Sequence, residues 1–146
     1  MSGERQLCTF NVEDLFLGLD VRNVQEVFRF QEMTPVPRSA HVVRGLINLR
    51  GQIVVAVDLR RRLELPQRED GNVPMNVVVR TDEGPISLLV DEIGDVVEVD
   101  AETFEPPPVT VAGATRDVIT GVHKFDGELL MLLDIPRLIQ TTDVAA

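Results

Sequence analysis

Asp58 and Asp134 are the residues of this 146-residue chain that most invite a chemical reading, because each closes an apolar run and opens a short amphipathic tail. Two carboxylates can divide general-acid and general-base work when their environments separate their pKa values. Their matching position, 76 residues apart, has a simpler explanation. An Asp at a strand-to-tail turn caps the first helical N–H groups, and two copies of one geometry need no substrate. His41 follows a proline-stiffened segment and His123 sits inside a hairpin, so both read as structural histidines. Cys8 lies in the alternating run Leu7-Cys8-Thr9-Phe10-Asn11-Val12, where it reads as an ordinary strand residue. Gly45 and Gly51 bracket a hairpin and not a strand-to-helix turn, which does not suit phosphate cradling. Arg60-Arg61-Arg62 reads as the solvated face of a short helix more readily than as a phosphate site, with a rim patch for an acidic protein as a further use of the same charges.

The elements that would position these residues repeat. Gly45 and Gly121, Gly51 and Gly127, and Asp58 and Asp134 are each 76 residues apart, and a weaker echo joins Leu19-Asp20-Val21 to Val90-Asp91-Glu92. The chain reads as a tandem duplication of one small β unit. Each half alone is marginal in size, so a single domain over residues 1–146 is expected, made of two intertwined halves divided near residues 66–74. The first half reads as a hairpin from Leu7 to Val21, a short helix or irregular turn around Val21, Val24 and Val27, and an extended segment at Pro35 and Pro37. A second hairpin then runs from Val43 to Asp58.

In the second half, strands are expected at Asn76–Arg80 and Ile86–Val90, with a helical turn that becomes strand-like over Asp91–Val99. Pro106-Pro107-Pro108 reads as a rigid spacer, and the last hairpin turns at Asp126-Gly127. The apolar return strand Ile53–Val57 must be covered on both faces, which a barrel packed against a twin barrel would do. Pro66 to Pro74 reads as an exposed, mobile loop, and a short loose tail is expected after Gln140.

Composition excludes several function classes. A net charge of −10 and the absence of Trp and Tyr argue against nucleic acid as a partner, since there is neither a basic surface nor the usual stacking platform beyond Phe16, Phe28 and Phe30. One Cys allows no internal disulfide framework and no thiolate-rich metal site, a usage that fits reducing cytoplasm. No secretory leader and no membrane-spanning apolar run is seen, so a soluble cytoplasmic protein without membrane insertion is expected. No cofactor is indicated. A rigid scaffold that binds proteins suits these residues better than an enzyme.

An ordered set of motifs carries a family resemblance across nearly the whole chain. Leu7-Cys8-Thr9-Phe10, Gly18-Leu19-Asp20-Val21, Val24-Gln25-Glu26-Val27, Thr34-Pro35-Val36-Pro37, Val43 to Gly51 and Val57-Asp58-Leu59-Arg60 resemble the CheW family of bacterial chemotaxis coupling proteins. Leu89-Val90-Asp91, Asp95-Val96 and Gly121 continue the match. The resemblance implies a mainly β fold of two small five-stranded β-barrel subdomains sharing a core, with short helices.

It also implies a non-enzymatic adaptor that couples the cytoplasmic tips of transmembrane, methyl-accepting chemoreceptors to the regulatory domain of the histidine kinase CheA, in the cytoplasm beside membrane-anchored receptor arrays. With 146 residues there is no room for a kinase or receiver domain, so a stand-alone adaptor is expected. The receptor-binding residues it implies are Val24, Glu26, Gly45, Arg50, Val77 and Val96. Val24, Val77 and Val96 would serve equally well as core, and Gly45 as a shaper of the hairpin. Arg50 stands out because a guanidinium at a hairpin tip can grip a carboxylate through two parallel bonds. A related scaffold of another chemosensory pathway, controlling surface motility or gene expression, and a small-ligand-binding β-barrel are the competing readings.

Overall fold

Alternation and β-branching along the sequence resolve into ten strands and three short helices. The structure, a computed structural model, describes residues 4–29, 31–38, 40–69 and 72–140, so the expected loose tail lies outside the described residues. The first half contains β1 (Glu4–Val12), β2 (Leu15–Asp20), a 3-10 turn (Val21–Asn23), β3 (Val24–Phe28), β4 (Val43–Leu49), β5 (Gln52–Asp58) and α1 (Leu59–Arg62). The second contains β6 (Met75–Val79), β7 (Ile86–Val90), β8 (Glu92–Asp100), a 3-10 turn (Ala101–Thr103), α2 (Gly113–Asp117), β9 (Ile119–Phe125), β10 (Glu128–Leu133) and α3 (Ile135–Gln140). The helical turn expected around Val21–Val27 shrinks to one 3-10 turn, because Val24 and Val27 fit a pleated strand better than a helix. Its counterpart after Asp91 is strand from Glu92 onward.

Both repeated hairpins turn in the same way. Arg50 and Gly51 have φ of 53° and 86°, and Asp126 and Gly127 have 51° and 80°, which is the two-residue type I′ geometry that matches strand twist. Asp58 accepts a hydrogen bond from the Arg60 N–H at 2.9 Å, and Asp134 accepts one from Arg137 N–H at 3.1 Å, so both caps form as expected.

The strands form two mixed sheets, ordered β8-β1-β2-β10-β9 and β3-β6-β7-β5-β4. Replacing each strand by its counterpart in the other half converts one order into the other. Each sheet therefore takes its central hairpin partner from the opposite half: β1 and β2 sit among β8, β9 and β10, while β6 and β7 sit among β3, β4 and β5.

Neither sheet closes, which corrects the expected pair of five-stranded barrels. The end strands β8 and β9, and likewise β3 and β4, share no ladder. The chain beyond β3 crosses to β4 and pairs at one residue, Thr34 with Leu46; the chain beyond β8 crosses to β9 and pairs Glu105 with Val122. Both bridging residues precede proline, Pro35 and Pro106, which has no N–H with which to extend the pairing. Closure stops at a single bridge. Gly45 and Gly121 admit these crossings, for a Cβ there would stand 2.7 Å from the Thr34 carbonyl oxygen and 2.5 Å from that of Glu105. Counted between its bridged residues, Glu105 to Val122 against Thr34 to Leu46, the second crossing is five residues longer than the first, and within it lies the five-residue helix α2.

The main core lies between the sheets. Phe10, Leu17, Leu19 and Met131 from one meet Val57, Val77, Val79 and Leu88 from the other, joined by Leu59 and Leu63 at α1 and by Ile135 and Leu138 of α3. Truncating fully buried Leu88 to Ala is expected to cost about 2–5 kcal/mol. A smaller cluster occupies each sheet: Leu7, Val99, Leu130 and Leu132 in one, Ile47, Ala56 and Leu89 in the other.

Candidate functional site

Among the described residues no helix is long and apolar enough to cross a membrane, and no group of three or more His, Cys, Asp or Glu side chains is placed to hold a metal ion. The polar feature that organises the surface is an ion pair. Asn48 Oδ1 accepts the Gly51 N–H at 2.9 Å and fixes the β4–β5 tip, holding Arg50 in its left-handed conformation. From there Arg50 donates Nη1 to Glu26 Oε2 at 2.6 Å and Nη2 to Glu26 Oε1 at 2.8 Å. These hydrogen bonds, followed by the carboxylate charge, raise the guanidinium pKa further. The pair ties β3 to the tip of the β4–β5 hairpin, the two opposite ends of one sheet. Sequence reading expected Arg50 to grip a carboxylate supplied by a partner; in the structure both arms of the fork are taken by Glu26.

Five of the six sequence-predicted residues fall on this sheet. Val24 is half-buried opposite Val79, and Gly45 is buried beneath the Thr34 crossing. Val77 is 0% exposed within the main core, opposite Val27 of β3, which is 45% exposed. Val77 and Val27 are cross-strand neighbours on one face of the sheet, with Val77 sealed in the core and Val27, on the edge strand, left partly exposed. Val96 stands apart on β8 of the other sheet, opposite Cys8 and 58% exposed.

A second concavity lies between β5, the β6–β7 turn and α3, with a volume of about 1150 Å3. Ile53, Val55, Ile86, Ile135, Pro136 and Ile139 form its apolar wall. None of the six sequence-predicted residues lines it. Sequence reading assigned Ile53 and Val55 to a strand covered on both faces, yet Ile53 is 58% exposed because α3 approaches β5 without covering its first residues. The signal that was available is the mismatch between an all-apolar run and its place beside a hairpin tip.

The residues considered for catalysis do not converge. Burial, then the charge of Asp20, raises the Cys8 thiol pKa, which makes it a poor nucleophile. His123 is fully buried beside the Phe104 ring. The Thr103 hydroxyl gives its proton to the Asp100 carbonyl at 2.8 Å, so His123 Nδ1, 3.0 Å from that hydroxyl, is the N–H donor. His123 Nε2 then has no hydrogen-bond partner among the described residues.

The arginines after Asp58 are not a solvated face. The Arg60 side chain is 14% exposed and pairs with Asp91 at 2.7 Å and Glu13 at 3.3 Å. Burial pushes the Asp91 carboxyl up, but the Arg60 hydrogen bonds, the Glu13 N–H and the charges of Arg60 and Arg68 together hold it below its ordinary value. Nor is the 66–74 segment wholly an exposed loop, since the Arg68 side chain is 8% exposed and pairs with both Asp58 and Asp91.

Comparison with known proteins gives one result. A family model described as the CheW-like domain matches residues 6–143. Chemotaxis protein CheW of Thermotoga maritima is 30% identical over 141 residues, spanning 97% of this chain and 91% of that protein. The protein of the same name in Treponema pallidum is 27% identical over 143 residues, spanning 95% and 84%. The crystal structure of scaffolding protein TtCheW from Thermoanaerobacter tengcongensis matches with a TM-score of 0.85 at 26% identity, covering 97% of this chain and 94% of that one.

Proposed function

The chain belongs to the CheW-like domain family, and from that premise we propose that it is the chemotaxis adaptor joining receptor cytoplasmic tips to the regulatory domain of CheA, in the cytoplasm beside receptor arrays. The chemistry is contact without a bond-making step. The observation that carries the placement of the receptor surface is the Arg50–Glu26 pair, a charged bracket across the two ends of one sheet with Val24 and Val27 beside it.

An amphipathic receptor hairpin lays its apolar stripe along β3, over Val24 and Val27, with Val77 and Gly45 shaping the floor. Val96, the most exposed apolar member of the six, adds area from β8. Apolar contact supplies most of the affinity, while Arg50 and Glu26 set orientation and register. The kinase domain takes a separate surface. A receptor rearrangement then alters kinase activity because both partners are held on one rigid body whose geometry they share.

The test is binding of the purified protein to a receptor cytoplasmic fragment and to the regulatory domain of CheA, separately and together. Simultaneous binding is expected, with Arg50→Glu weakening the receptor contact about tenfold or more and leaving the kinase contact unchanged. Mutual exclusion of the two partners would overturn the coupling role. Loss of receptor binding on Ile53→Asp but not on Arg50→Glu would move the receptor surface to the groove beside α3.

A further inference from the structure

A helix cap needs one backbone N–H, and the Asp58 carboxylate is offered far more. Arg44 Nη1 and Arg68 Nη1 each lie 3.3 Å from its Oδ2, and Arg61 Nε lies at 3.9 Å. The Asp58 side chain is only 5% exposed. Its repeat counterpart Asp134 performs the same capping with a single arginine, Arg137, at 3.5 Å and 58% exposed. Where the first half has Arg44 and Arg60, the second has Thr120 and Pro136 at the same 76-residue spacing. The repeat does without Arg44 and Arg60, whereas Arg61 has its counterpart in Arg137.

They converge on a half-enclosed cavity of about 290 Å3 whose wall carries Arg44, Arg60, Arg61 and Arg68 against two acids, Asp58 and Glu69, with Asn72 at the rim. Arg60 is committed elsewhere, to Asp91, Glu13 and the Pro66 carbonyl. Arg68 is committed to Asp58, Asp91 and the Leu89 carbonyl. Among the described residues the Arg44 side chain makes one hydrogen bond, to Asp58, and that of Arg61 makes one, to the His41 carbonyl, while Arg61 Nε, 3.9 Å from Asp58 Oδ2, has no hydrogen-bond acceptor. Both reach toward the same carboxylate oxygen and line the same cavity. The Arg44 side chain is 34% exposed and that of Arg61 25%, so their remaining N–H donors open onto the cavity, where an anion would supply the acceptors.

We propose that this cavity binds a small oxyanion-bearing molecule, a phosphate or a carboxylate, gripped between Arg44 and Arg61. Planar forks are the side chains that hold such groups through paired N–H donors. Among the described residues the cavity wall sets four arginines against two acids, in a chain of net charge −10, and the second half has no counterpart of Arg44 or Arg60.

The test is an NMR titration of the full chain with inorganic phosphate and, separately, with citrate, each at ionic strength held constant with sodium chloride. Saturable shifts confined to the amides of Arg44, Asp58 to Arg61 and Asn72 are expected, and the tighter of the two probes identifies the chemistry. The double substitution Arg44→Gln with Arg61→Gln is expected to weaken binding about tenfold or more, whereas Arg137→Gln leaves it unchanged. Non-saturating shifts, or shifts spread over the surface of the unmodified protein, would overturn the site even if the double variant failed to fold. So would a folded double variant that binds as before.

Discussion

Asp58 and Asp134 end equivalent strands, each accepts a hydrogen bond from the helix that follows it, and their surroundings have little else in common. Among the described residues, Arg44, Arg61 and Arg68 stand around Asp58, and the exposed Arg137 alone pairs with Asp134. The backbone role was preserved by the repeat because strand, turn and helix admit few residues at that position. The side chains packed over it were free to diverge, and in one half they buried the carboxylate among cations. The same contrast recurs at the hairpin tips, where Arg50 pairs with Glu26 while Asp126, at almost the same φ, makes no such pair in the structure described.

The comparison is sharpest for the two caps. Asp58→Ala leaves partly buried guanidinium groups without their counter-ion and is expected to destabilise by about 3–5 kcal/mol. Asp134→Ala removes only a cap and should cost about 1 kcal/mol. Urea unfolding of both variants measures the gap; equal losses would mean that the arginines around Asp58 contribute nothing beyond the cap.

Next in size are the two glycines under the crossings. Gly45→Ala and Gly121→Ala each drive a methyl group into a carbonyl oxygen, and at Gly121 also into the Phe104 ring, with an expected cost of about 1–3 kcal/mol. Thermal unfolding should show the larger loss at Gly121, where the approach is closer. The reverse order would mean that Phe104 swings aside easily.

A smaller effect separates His123 from Ile47, its buried counterpart 76 residues earlier. Burial, then the charge of Arg5, lowers the His123 pKa below its ordinary 6.5, with Asp100 opposing. The unfolded chain therefore binds the proton more readily than the folded one. The stability contributed by neutral His123 is complete above pH 6.5 and is lost as pH falls through the lowered value. Melting temperatures across that window should decline for the natural chain and decline less for His123→Leu. The smallest effect on stability is expected at Arg50→Gln, where the side chain is 75% exposed and the melting temperature should not move measurably, leaving any loss of receptor binding attributable to the surface.

Much of this was legible in the residues. The spacing of Gly, Gly and Asp announced both hairpins and both caps, because type I′ turns and N-caps accept few residue types. The open sheets were not legible, since alternation along a strand says nothing about which neighbour it pairs with; Pro35 and Pro106 are the local marks of why closure fails. Which hairpin the intertwined halves exchange was not legible for a related reason: β1 and β6 look alike as sequence, so either could sit in either sheet. Arg68 looked like a loop residue, and only contacts with Asp58 and Asp91, 10 and 23 positions away, bury it. Of the candidate site, Val24, Glu26, Gly45, Arg50 and Val77 share one sheet, but which valine is exposed depended on strand order, which put Val27 on the edge strand β3 and its neighbour Val77 on β6 inside the sheet.

The exchanged hairpins also govern how the chain can be made. Synthesis proceeds from the N-terminus, so β1 and β2 leave the ribosome first, while their sheet partners β8, β9 and β10 are the last strands to emerge. A nascent chain ending before β8 holds one hairpin with both edges unpaired, and contacts spanning most of the sequence must wait for its completion. The other sheet is ready once β7 has appeared. Birth order thus makes one sheet the template on which the other is finished.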